Sequence, residues 1–181
     1  FGEGYPLHLA KVAPLDDFLS TWRVDWRGSA ADQVMVRYAL QDEEDIAASA
    51  VERAIGSATQ RQASRNRLHA VVGSWNRVIS PASLNVLSAS VSTFRNAIAP
   101  TVIAPQLTFP SLQDGSSFRV PQGTDQTRFQ LANTWSLVTG PHMLRVGGEW
   151  QRVDGKFDLG VFQSGRIELV QDFPAFDANG D

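Results

Sequence analysis

Cysteine is absent from this chain of 181 residues. That one absence excludes disulfide scaffolds, thiol nucleophiles and thiolate-bound metal centres. Long apolar runs are missing too, the longest being short stretches such as Val71-Val72 and Val102-Ile103-Ala104. A membrane-spanning helix needs about 20 consecutive apolar residues, so helical spanning is excluded. No excess of positive charge is present: Lys and Arg total 16 against 19 Asp and Glu, for a net charge of −3. Nucleic acid, which is held through basic faces, is therefore not an expected partner. Catalytic signatures are wanting as well. There is no Gly-x-Ser-x-Gly elbow, His-Glu-x-x-His pair, phosphate-cradling loop or dinucleotide fingerprint. His8, His69 and His142 lie far apart in different contexts, and no nucleophile–base pair assembles, so no enzymatic activity is expected. The chain opens on Phe1, with no basic leader before an apolar stretch, as a processed protein or an excised piece would.

What is present is a period of two. Hydrophobic residues make up 43% and charged residues 19%, a balance that excludes a disordered chain. Trp22, Val24 and Trp26 alternate with Thr21, Arg23 and Asp25, and Val34, Val36, Tyr38 and Leu40 alternate with Gln33, Arg37 and Gln41. The two runs predict a hairpin over about 18–42. A second hairpin, about 66–95, turns at Ile79-Ser-Pro-Ala-Ser83, with Leu87, Ala89, Val91 and Thr93 on one face of its return strand. Its first strand is less regular, because Arg77 shares parity with Trp75 and Val71, and the faces of 66–78 stay open. His69, with Arg67 on its face, points to a wet lumen. A third hairpin, about 128–153, turns at Thr139-Gly-Pro141, with Phe129, Leu131, Trp135, Leu137, Leu144, Val146 and Trp150 on its apolar side.

The connections complete the pattern. Short turns inside hairpins alternate with long segments over about 43–65, 96–127 and 154–181, as in transmembrane β-barrels. Strands of about ten residues suit a tilted crossing of the hydrocarbon layer. Trp26, Trp75 and Trp135 lie close to short turns, while Tyr38, Phe94 and Trp150 lie toward the long connections, as interfacial girdles would. One segment departs from this rhythm. Within Glu43–Gln62, Ile46, Ala50, Val51, Ala54, Ile55 and Ala58 follow helical spacing and predict a short amphipathic loop helix. The fold class read from these signals is all-β: an antiparallel up-and-down meander of about six strands, part of a larger transmembrane β-barrel, with long loops and one short loop helix.

Arginine outnumbers lysine 14 to 2. Arg23, Arg37, Arg128 and Arg145 fall on polar strand faces beside Asp25 and Glu149, where planar guanidinium groups suit a hydrogen-bonded lumen wall. In the long segments, Arg53, Arg61, Arg119, Gln122 and Asp125 are candidate contacts for an extracellular ligand, with solvated surface as the plainer alternative. Asp177, Asn179 and Asp181 resemble the opening of a calcium loop, with Asp172 as an additional ligand if the chain folds back. The competing reading is an Asx-rich turn. No other cofactor is expected.

Several segments in order resemble one family. Gly140-Pro-His-Met-Leu-Arg-Val-Gly-Gly-Glu-Trp150 looks like a barrel hairpin of TonB-dependent outer-membrane receptors, and Trp75-Asn-Arg-Val-Ile-Ser-Pro-Ala-Ser-Leu-Asn85 resembles that family's short turn. Phe109-Pro-Ser-Leu, Val120-Pro-Gln122 and Gly165-Arg-Ile-Glu168 through Asp177-Ala-Asn-Gly-Asp181 look like loop segments of its Oar-like branch, which carries a carboxypeptidase-regulatory-like domain. The similarity runs from about Asp16 to Asp181. It implies a 22-stranded barrel around a plug, coupled through a TonB box to the TonB complex. This chain shows neither plug nor TonB box, and six strands do not close such a barrel, so the expectation is a fragment of the barrel wall in a bacterial outer membrane. Its expected partners are membrane lipid, the plug of the same parent chain, the TonB complex through that parent, and an unidentified extracellular ligand. Two other readings share the strands: a soluble extracellular β-sandwich for adhesion or carbohydrate binding, and a passive porin segment. Six strands in one open sheet favour a barrel wall; two packed sheets would favour the sandwich.

Overall fold

The computed structural model describes residues 14–48 and 58–172. Six long strands pair in one antiparallel sheet: β1 (Leu15–Arg27), β2 (Asp32–Ala48), β3 (Arg61–Ser80), β4 (Ser83–Pro100), and, after two short strands, β7 (Gln122–Thr139) and β8 (His142–Leu159). Their order in space is their order in sequence, β1-β2-β3-β4-β7-β8. The short strands β5 (Gln106–Thr108) and β6 (Gln113–Asp114) join β9 (Arg166–Glu168) in a second sheet, ordered β6-β5-β9. This small sheet is borne by the long connections and does not face the large one as an equal layer.

Turn chemistry closes the hairpins. Ser29 Oγ accepts from the backbone N–H groups of Ala31 and Asp32 at 3.1 and 3.0 Å, tightening the β1–β2 connection. Pro81-Ala82 joins β3 to β4, and Gly140-Pro141 joins β7 to β8. Gly140 has φ +56°, a region a side chain disfavours and hairpin turns of two residues need.

The register resolves every face. Trp26, Val34, Trp75 and Leu87 stand opposite one another across β1 to β4, and Trp22, Tyr38, Val71, Val91 and Phe129 across β1 to β7. These residues share one side, with Leu131, Trp135, Val146 and Trp150. Almost none of them is covered: Trp22 is 69% exposed and Trp26 60%. The only buried hydrophobic side chains among the described residues are Phe109 and Val120, both in the second long connection. A sheet without a core beneath it is a wall, not half of a sandwich.

Several expectations are corrected here. The strands run well beyond the predicted hairpin limits, so the long connections shrink. The predicted helix over Glu43–Gln62 is not formed where the chain is described. Glu43 to Ala48 continue β2, because Asp45 and Ile46 pair with Ser64 and Ala63 of β3, and only Ala58–Gln60 is helical, as one 3₁₀ turn. Residues 49–57 of that prediction lie outside the described residues. Phe94 pairs with Leu68 and Gln126 on the side opposite the tryptophans, so it is not a girdle residue. Arg67 and His69 fall on the tryptophan side, not on a wet lumen side, since odd-numbered positions of β3 carry Val71 and Trp75. Trp150 lies midway along β8, opposite Leu131.

Candidate functional site

The polar side of the sheet gathers the residues singled out for it. Arg23, Asp25, Arg37, Arg128, Arg145 and Glu149 all lie on the face opposite the tryptophans, as the pairings Arg23–Arg37 and Arg128–Val153 fix. Arg23 donates through Nε and Nη2 to the two carboxylate oxygens of Asp25, each at 2.7 Å, a bidentate fork along one strand. Gln130 is the hub of a second group. Its Oε1 accepts from Ser90 Oγ at 3.1 Å, and its Nε2 donates toward Glu149 and Gln151 at 3.4 and 3.3 Å. Arg145 donates to Ser136 Oγ at 3.4 Å. Small Ser88, Ser90 and Ser92 on β4 alternate with Ala89, Val91 and Thr93, so this face is open as well as polar.

At the far end from the hairpin turns, the long connections meet. Gln106 N–H donates to the Gly165 carbonyl at 3.0 Å, and Leu169 N–H to the Thr108 carbonyl at 2.9 Å, which pairs β5 with β9 in parallel. Gln60 Nε2 donates to the Gln113 carbonyl at 2.7 Å, and Thr59 Oγ1 to Asp114 at 3.0 Å, docking the first connection on the second. Ser116 Oγ accepts from Ala104 N–H and donates to the Val102 carbonyl, and it is fully buried. Buried polar groups that are all bonded make a rigid loop module rather than a set of loose loops.

An aromatic–arginine cluster stands on this module. Phe118 and Phe162 stack with ring centroids 5.0 Å apart. The guanidinium carbons of Arg119 and Arg166 lie 5.3 and 5.4 Å from the Phe118 ring centroid, within cation–π range. Phe162 has φ 61°, held by its N–H bond to the Phe118 carbonyl and by Gly165 N–H on its own carbonyl. An exposed aromatic kept in a costly backbone region is a feature of binding loops.

The candidate ligand contacts are thus dispersed. Arg119 belongs to the cluster. Arg61, Gln122 and Asp125 lie within β3 and β7, not in loops: Arg61 pairs with Ala48, Gln122 with Ile98, and Asp125 with Arg95. Asp125 faces the tryptophan side, where Arg95 Nε sits 3.0 Å from its Oδ1. Arg53, Asp177, Asn179 and Asp181 lie outside the described residues, as does His8. Asp172 accepts from Ser111 N–H at 3.1 Å, tying the third connection to the second. Sequence reasoning missed Phe118, Phe162 and Arg166, because the two phenylalanines sit in turns and the arginine in a strand of three residues, neither of which carries a readable period.

A long antiparallel sheet with a bare apolar band on one face, a polar opposite face and a loop module at one end defines a membrane β-barrel wall. A family model described as an outer membrane beta barrel domain matches residues 12–177, and the chain belongs to that family. It is accordingly a bacterial outer-membrane barrel segment. No curated protein and no solved structure matches the chain.

Proposed function

We propose that the chain forms part of the barrel wall of a TonB-dependent outer-membrane receptor, of the Oar-like kind its motifs resemble. The observation that carries this reading is the division of labour between faces: all six polar-face candidates lie together, opposite the tryptophans. The apolar face contacts lipid, and the polar face lines the lumen toward a plug of the same parent chain. The loop module, with Arg119 and Arg166 about Phe118, captures an extracellular ligand. The work is mechanical and recognitional, and energy reaches the parent through the TonB complex.

The test uses the full-length polypeptide that carries this chain, purified in detergent. It is expected to capture the purified periplasmic domain of TonB, to lose that capture when its TonB box is deleted, and to give no steady pore in a planar bilayer. A constantly conducting pore with no TonB capture would replace the receptor reading with a passive porin.

A further inference from the structure

The small sheet of the loop module ends in an open edge. β9 lies beside β5 on one side and beside no described strand on the other. Parallel pairing sets which residues face which way. Gln106 N–H donates to the Gly165 carbonyl and Leu169 N–H to the Thr108 carbonyl, so Gly165, Ile167 and Leu169 turn their backbone groups toward β5. Backbone direction alternates along a strand, so Arg166 and Glu168 turn theirs the other way. Two N–H groups and two carbonyls thus stand along the outer edge, and no described group bonds to them.

The surroundings of this edge suit an incoming chain. Arg166 and Glu168 share one face of β9, where their side chains pair at 2.5 Å. A shallow hollow of about 480 Å³ opens against them, lined by Phe162, Arg166 and Glu168. Phe162 is half exposed, and its ring stacks on Phe118. The opposite face of β9 carries Ile167, also half exposed. Charge is one-sided here. Glu168 balances Arg166, whereas Arg119, held over the Phe118 ring, meets no carboxylate among the described residues.

We propose that an extended acidic peptide adds to β9 as a further strand of the small sheet. The inference rests on the reading above, in which this module captures an extracellular ligand, and names that ligand's class. Main-chain hydrogen bonds to Arg166 and Glu168 supply affinity that is blind to sequence, and alternate side chains supply selectivity. Side chains on the hollow's face rest on Phe162, and a carboxylate among them answers Arg119. A saccharide or a metal chelate would use Arg119 and the rings but none of the backbone edge.

The test uses the full-length polypeptide in detergent and a short fluorescent peptide, with Phe and Glu alternating on one face and Thr on the other, read by fluorescence anisotropy. The wild-type chain is expected to bind this peptide and to lose it when the peptide is N-methylated throughout, which keeps every side chain and removes every backbone donor. Glu168→Pro removes one outward N–H and leaves the bonds to β5 in place, and is expected to weaken binding by roughly tenfold. Glu168→Gln removes the same carboxylate but keeps the edge, and is expected to bind at least as tightly as wild type. Arg119→Gln is expected to weaken binding roughly threefold. Equal binding of the methylated and unmethylated peptides, equal loss in Glu168→Pro and Glu168→Gln, or no peptide binding by a polypeptide that captures TonB would each overturn this inference alone. A polypeptide that binds the peptide through its edge but captures no TonB would overturn the receptor reading instead.

Discussion

Asn85 and Asn133 sit on the tryptophan side, beside Leu87, Leu131 and Trp135, and they satisfy each other there. Asn85 Nδ2 donates to Asn133 Oδ1 at 3.1 Å, and Asn133 Nδ2 returns the bond to Asn85 Oδ1 at 3.0 Å. Each amide also reaches a strand carbonyl, that of Thr134 or Val86. An amide facing hydrocarbon without a partner is costly, so the pair stands or falls together. Asn85→Ala and Asn133→Ala are each expected to cost about 1 kcal/mol in the folded parent chain, and the double variant less than the sum. Denaturant unfolding from lipid vesicles measures the cycle; strict additivity would mean that the two amides do not act as a pair. The indoles follow the same economy of polar ends. Trp75 Nε1 donates to Asp32 and Trp135 Nε1 to Ser83, both beside hairpin turns, which suits rings placed at a membrane–water boundary.

Among the elements, the loop module has the sharpest geometric demand. Gly115 has φ +79°, and a Cβ added there would lie 1.9 Å from the Pro105 carbonyl oxygen. Gly115→Ala is expected to cost about 1–3 kcal/mol locally. Limited proteolysis of the membrane-inserted chain should then cut within 101–121 while the six long strands stay protected; unchanged loop protection would refute this account of the module. The long strands were legible because Trp22, Val24 and Trp26, or Phe129 and Leu131, alternate with polar neighbours. The polar-face arginines were legible by the same parity. The loop helix misled because Ala-rich, acid-led sequence favours helix locally, whereas pairing with Ser64 and Ala63 draws Asp45 and Ile46 into β2. A cross-strand row of charges on the tryptophan side, Arg67, Arg95, Asp125 and Lys156, was invisible for another reason: its members are scattered in sequence, and only the register aligns them.

For the whole molecule, the dominant fact is surface with nothing over it. Trp22, Trp26, Leu131, Trp135, Val146 and Trp150 are all exposed, and β1 and β8 each pair on one side only among the described residues. Long edge strands with an uncovered apolar face promote aggregation in water. The 181-residue chain expressed alone is expected to be insoluble in plain buffer and to give a β circular-dichroism signal only in detergent. A monodisperse chain melting cooperatively in buffer would instead place a core where none is seen. The sheet order carries a kinetic consequence. Because each long strand pairs with the next, every hairpin closes over a short span, and the wall can grow one hairpin at a time at low loop-closure cost. The parallel pairing of β5 with β9 is different, since it brings Leu107 to Ile167, sixty positions away and across the whole β7–β8 hairpin. On loop-closure cost, the loop module at that end is expected to assemble after the wall hairpins.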